Sequence, residues 1–192
     1  MVVDLQRDFC PGGVLAVKDG DAVVPKVNKV IAAFERASLP VFLTRDWHPP
    51  DHVSFTGRGG IWLPHCVQGS PGAGFHPSLN LPLDAVIISK GDDPGTEAYS
   101  GFQGTDLEAR LKKLKVRKVV LCGLTTDYCV KETARDARRA GFAVDVMEDC
   151  IRAVDAKAGD GEKAVSAMRR MGAKFTTSTA VARGLSSAKS SP

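Results

Sequence analysis

Hydrophobic and polar positions along this chain alternate between two periods. Residues 22–37 place Val23, Val27, Val30, Ile31 and Phe34 at helical spacing, which predicts an amphipathic helix. Segments 40–44, 85–88 and 143–146 are short apolar runs, and 118–122 is a continuous one of the kind buried on both faces of a sheet. Residues 126–140 set Val130, Ala134 and Ala137 on one helical face against Lys131, Glu132, Arg135, Asp136 and Arg138 on the other. Residues 160–171 turn Ala164, Val165, Met168 and Met171 inward. Val2-Val3 ends a short first strand, and 173–175 closes the set. Strands alternating with helices predict an α/β, three-layer αβα domain with a mainly parallel central sheet. Residues 1–185 are expected to form this single domain, with 186–192, rich in Ser and Lys, as a flexible tail.

In such folds ligands bind beyond the carboxyl ends of the strands. The polar residues expected there are Asp4, Gln6 and Asp8 after the first strand, Asp46 and His48 after the second, and Lys90 after the third. Thr125, Thr126, Asp127 and Cys129 follow the fourth. Between Asp46 and Leu83 the periodicity lapses and Pro, Gly and His become dense. A connection this long is functional or disordered. Trp47, Phe55, Trp62 and Phe75 argue against disorder.

Composition narrows the class. Hydrophobic residues make up 43% and charged residues 25%, an ordinary soluble balance. No apolar run approaches the roughly 20 residues needed to cross a bilayer. The opening residues carry neither the basic nor the apolar region of a secretion leader. Five cysteines without a tight pairing motif point to reduced thiols and a cytoplasmic location. The net charge is only +4, and the densest basic stretch (Lys112, Lys113, Lys115, Arg117, Lys118) falls at the end of a helix over 105–114. That helix would open on a Thr105–Glu108 capping box, and cations suit its carboxyl end. No aromatic platform accompanies the basic residues, so neither nucleic acid nor membrane is expected as a partner; a homo-oligomer stays open.

Three groupings carry chemistry. Three of the four histidines fall within 48–65, and Asp46, His48, His52 and His65 form a mixed N/O set that can hold one divalent metal with positions left open. The plainer alternative is scattered loop histidines; His76, the fourth, is read that way. Cys129 sits at the start of the helix over 126–140, where free N–H groups favour a thiolate and can bind an oxyanion. Alternatively it is a buried cysteine, as Cys122 is within its apolar strand. Asp4 and Lys90 end two other strands, and an acid with an ammonium can serve such a thiol as base and charge partner. Each alone would be an ordinary surface charge.

Read together, the motifs resemble a known family. Val3-Asp4-Leu5-Gln6-Arg7-Asp8-Phe9 with Gly12-Gly13 resembles the opening of isochorismatase-like cysteine hydrolases. Asp46-Trp47-His48 with His52, and Trp62-Leu63-Pro64-His65-Cys66-Val67, are similar to the nicotinamidase/pyrazinamidase branch. Lys90-Gly91, Tyr99-Ser100-Gly101-Phe102 and Gly123-Leu124-Thr125-Thr126-Asp127-Tyr128-Cys129 complete the likeness in order, over about residues 2–175. The resemblance implies a catalytic triad of Cys129, Asp4 and Lys90, an oxyanion hole from the N–H groups of Thr125 and Cys129, and a cis Leu124–Thr125 peptide. It also implies metal ligands Asp46, His48, His52 and His65 for Zn, or else Fe or Mn. Phe9, Trp62 and Tyr99 would surround a pyridine ring. The implied reaction is hydrolysis of nicotinamide, and of pyrazinamide, through a thioester. Two alternatives stand beside it: a related hydrolase of another amide or a vinyl ether, and a binding protein that keeps the fold without turnover.

Overall fold

A computed structural model describes residues 1–187. Six parallel strands form one sheet: β1 (Val2–Val3), β2 (Phe42–Asp46), β3 (Val86–Lys90), β4 (Lys118–Leu124), β5 (Ala143–Arg152) and β6 (Lys174–Thr176), in the order β3-β2-β1-β4-β5-β6. Four α-helices lie between strands, α1 (Val24–Arg36), α2 (Leu107–Lys113), α3 (Lys131–Arg139) and α4 (Asp160–Arg170), and α5 (Ser178–Ser187) follows β6. No described helix is long and apolar enough to cross a membrane.

Because side chains alternate along a strand, consecutive apolar residues feed opposite cores. Val2, Leu43 and Cys122 join the core beneath α1 with Val27 and Ile31, whereas Val3, Phe42 and Leu121 join the one under α2, α3 and α4 with Leu107, Ala134 and Met168. Both faces of the sheet are thus covered, as its apolar strands require. The two-residue β1 is held between β2 and β4, with Val2 opposite Leu43 and Cys122 and Val3 opposite Gly123. Only glycine fits at 123: its φ is +113°, and an added Cβ would lie 2.0 Å from the Val3 carbonyl oxygen.

Four local expectations need correction. The segment expected at 40–44 is a strand over Phe42–Asp46, and that at 85–88 runs on to Lys90, so Asp46 and Lys90 are strand residues in register rather than loop residues. The Thr105–Glu108 capping box does not form: Thr105 Oγ1 accepts from the Leu107 N–H at 3.3 Å, while Glu108 pairs with Lys112. The helix expected from Thr126 begins instead as a π turn over Thr126–Val130, in which the Val130 N–H reaches the Thr125 carbonyl at 3.0 Å. Finally, α5 was not expected, and its last residues Ser186 and Ser187 belong to the segment read as a tail. The rest of that segment, 188–192, lies outside the described residues.

Candidate active site

The carboxyl edge of the three central strands and β3 gathers the charged residues that the sequence singles out. Asp4 follows β1 directly, with φ +43°, in the left-handed region that Asp tolerates better than most residues. Its N–H donates to the Thr44 carbonyl at 3.1 Å, and the Thr44 hydroxyl donates to Asp4 Oδ1 at 2.5 Å. Lys90 ends β3, fully buried, with its Nζ 2.9 Å from Asp4 Oδ2, 3.2 Å from the Ala98 carbonyl and 3.5 Å from Cys129 Sγ. It also donates to Asp46 Oδ1. Asp4 Oδ2 faces this ammonium, and the Asp4 carboxylate also lies within reach of the Cys129 thiol. A carboxylate oxygen of Asp4, one of Asp46 and the Cys129 sulfur all lie within 4.8 Å of one another. Asp4, Lys90 and Cys129 therefore meet at one point.

Two carboxylates share one ammonium here, and their titrations part accordingly. Burial raises the Asp46 carboxyl, but Lys90 and the imidazoles of His48 and His65 outweigh it and hold Asp46 below the ordinary carboxylate range. Asp4 lacks those imidazoles, and burial with the Asp46 charge holds it above. Burial would discharge Lys90, but the two carboxylates keep it protonated well beyond its usual range. The Cys129 thiol was expected to be lowered by its helix start. Burial instead pushes it well up, Lys90 offsets this only in part, and Asp4 and Asp46 add to the rise. A thiol so placed needs a base beside it before it can attack.

Asp46 also faces the metal-like residues. Its Oδ2 lies 3.7 Å from His48 Nε2 and 3.8 Å from His65 Nε2. A backbone carbonyl accepts only, so contacts of His48 Nδ1 to the Gly91 oxygen (3.0 Å) and His65 Nδ1 to the Leu63 oxygen (2.8 Å) put the proton on Nδ1 in the neutral rings. Both Nε2 lone pairs then point inward, the arrangement that orients metal-binding imidazoles. His52 is different. Its ring stacks 4.2 Å from that of His48, but Nδ1 accepts from the Ser54 N–H at 3.3 Å and Nε2 donates to the Thr96 carbonyl at 3.1 Å. Of the four expected ligands, three converge and His52 is turned aside. His76 stays in the loop, where Nδ1 accepts from the Ser78 N–H.

Both centres open into a cavity of about 250 Å³ walled by Phe9, Leu15, Trp62, Tyr99, Tyr128 and Val154, with Asp46, His48, His65, Thr125 and Cys129 also on its lining. Phe9, Trp62 and Tyr99 are thus all present, and the Trp62 indole donates to the Tyr99 hydroxyl at 2.9 Å. The Leu124–Thr125 peptide is cis. Sequence reasoning gave no role to three residues. Tyr128 packs edge-on to Trp62 at 5.1 Å, and its place beside Cys129 in the chain was a usable signal. Gln6 spans Asp46, accepting from its N–H and donating to its carbonyl, both at 2.8 Å. Asp8 Oδ2 accepts from the Cys66 N–H at 2.7 Å and so fixes the peptide after His65.

Residues 1–180 match the family model of the Isochorismatase domain. The chain belongs to the isochorismatase family. Among family members, the nicotinamidase of Escherichia coli is 36% identical over 92% of this chain and 93% of its own. The nicotinamidase/pyrazinamidase of Mycobacterium tuberculosis is 41% identical over 81% of this chain and 87% of its own. The crystal structure of the Pyrococcus horikoshii pyrazinamidase in complex with zinc superposes with a TM-score of 0.88 at 48% identity, covering 92% of this chain and 96% of that one. The shared αβα fold of this isochorismatase-family chain is thus that of solved hydrolases.

Proposed function

We propose that this protein is a nicotinamidase, hydrolysing the carboxamide of nicotinamide, and of pyrazinamide, to the acid and ammonia in the cytoplasm. One observation carries the reading: the Cys129 sulfur lies 3.5 Å from a buried Lys90 ammonium that also touches Asp4, on the lining of an aromatic cavity that reaches Asp46, His48 and His65. The names of the relatives support the substrate class.

Asp4 takes the Cys129 proton, and the sulfur attacks the amide carbon. The N–H groups of Thr125 and Cys129 receive the oxyanion, where donors aimed at developing charge are most effective. Asp4 returns its proton to the nitrogen as the C–N bond breaks, releasing ammonia. A water, deprotonated by Asp4, then hydrolyses the thioester and restores the thiol. Lys90 keeps its proton throughout and balances the negative charge that passes between sulfur and carboxylate. Phe9, Trp62 and Tyr99 hold the ring, with Tyr128 beside them. Asp46, His48 and His65 suit a divalent ion by donor chemistry, a carboxylate oxygen with two inward imidazole nitrogens, and zinc in the Pyrococcus structure supports that identity here. His52 joins them only if its ring leaves Thr96. When bound, the ion supplies a Lewis-acid anchor for a pyridine nitrogen. The test is ammonia release from nicotinamide by purified protein whose metal has been quantified. A metal-loaded protein that releases none overturns the reading.

A further inference from the structure

Glu97 is the one acidic residue on the cavity lining outside the groups assigned above. It is half-buried, and its Oε1 accepts from the Ala98 N–H at 3.0 Å. Among the described residues no Lys, Arg or His forms an ion pair with it. The Ala98 carbonyl accepts from Lys90 Nζ at 3.2 Å, so the backbone next to Glu97 is tied to the ammonium beside the nucleophile. The charge is therefore held in place and is not a freely swinging surface group. Its field reaches the cavity. Burial first and then, against the Trp62 donor, the Glu97 carboxylate push the Tyr99 hydroxyl up to about 12.

The reaction proposed above changes one electrical property of the bound molecule. A neutral carboxamide enters, and a carboxylate must leave from the same cavity. The side chains around Cys129 hold two carboxylates, Asp4 and Asp46, and one ammonium, Lys90. Lys90 attracts the product's new charge, and Asp4 and Asp46 already work against that attraction. An unpaired carboxylate on the wall opposes the attraction, while a neutral amide experiences little of either.

We infer that Glu97 is a specificity-determining residue that weakens binding of the anionic acid relative to the neutral amide, and so favours product release. The inference rests on amide hydrolysis as the reaction of this site. It takes Glu97 to touch neither sulfur nor base, and to act through charge across the cavity.

The test compares metal-loaded wild type, E97Q and E97D. Ammonia release gives the KM for nicotinamide, and inhibition by nicotinate gives its Ki. E97Q should lower the ratio of nicotinate Ki to nicotinamide KM about two- to fivefold at low salt, the size expected of one partly exposed charge. E97D, which keeps the charge, should hold a ratio closer to wild type, and salt should shrink the difference between wild type and E97Q. A ratio unmoved in E97Q, Ki and KM shifting by the same factor, or E97D behaving as E97Q would overturn the role. Wild type that releases no ammonia from nicotinamide would instead overturn the underlying activity. In that event, dissociation constants of nicotinate and nicotinamide measured by calorimetry on the same three proteins still decide whether Glu97 discriminates charge.

Discussion

Asp46 and Lys90 are register partners on adjacent parallel strands, and their side chains form an ion pair at the carboxyl edge of the sheet. The other Asp46 oxygen faces His48 and His65. One carboxylate therefore belongs to both the surroundings of Cys129 and the candidate metal centre.

Lys90→Met should be severe in both stability and activity. It leaves Asp4 and Asp46 buried without their cation, a loss of about 3–5 kcal/mol where one partner of a buried pair is removed. Urea unfolding should show it, together with near-complete loss of ammonia release. Wild-type-like stability would mean that the pair is already broken in solution.

Cys129→Ala and Cys122→Ala should separate chemistry from packing. The first should lower turnover by about 10³-fold or more, as loss of a nucleophile does, while keeping the bound metal. The second should keep turnover per folded molecule and lose about 1 kcal/mol from the core under α1. Substantial ammonia release by Cys129→Ala would rule out covalent catalysis.

Gly91→Ala tests the support of His48 without touching a ligand. Gly91 has φ +66°, and an added Cβ would lie 2.5 Å from His48 Cε1. The ring must move, and zinc affinity should fall about 10- to 100-fold, the range for disturbed supporting contacts. Competitive chelator titration measures it, and unchanged affinity would show that the Gly91 contact does not hold His48 for the metal.

The two buried carboxylates should give opposite pH dependences in metal-stripped protein. Asp46 is held below its ordinary range, so its stabilisation is present above about pH 4 and is lost as pH falls. The stability gap between wild type and Asp46→Asn should then close on acidification. Asp4 is held above its range, so its stabilisation is present below about pH 4 and is lost as pH rises through the raised folded value. Asp4→Asn should therefore gain on wild type as pH increases. Urea midpoints from pH 3 to 7 decide both, and parallel curves would contradict the assignments.

The layered fold was legible because its strands and helices differ in apolar period, and Val2 to Val3 or Leu121 to Cys122 alternate between two cores as a covered sheet demands. The polar residues at strand ends were legible for the same reason. Other features depend on tertiary partners. α5 has small and polar residues with little apolar stripe, and its start is fixed by Ser178 bonding to Asp149, a contact no local pattern reveals. The π turn at Cys129 is a matter of one hydrogen bond, and spacing cannot distinguish it from an α turn. His52 matches the others in residue type and spacing, yet Thr96, 44 positions away, takes its nitrogen. At Cys129 burial by distant segments outweighs the local helix start, and spacing shows only the latter.

The strand order places β1 between β2 and β4, with β3 beyond β2, so residues 4, 46, 90 and 129 come together only when four separate stretches of chain have docked. None of these contacts is local in sequence, and loop closure must precede each. A partly assembled molecule would hold isolated charges and an unactivated thiol. Catalytic competence therefore requires all four stretches to be docked at once, and separating any one of the central strands removes it whole.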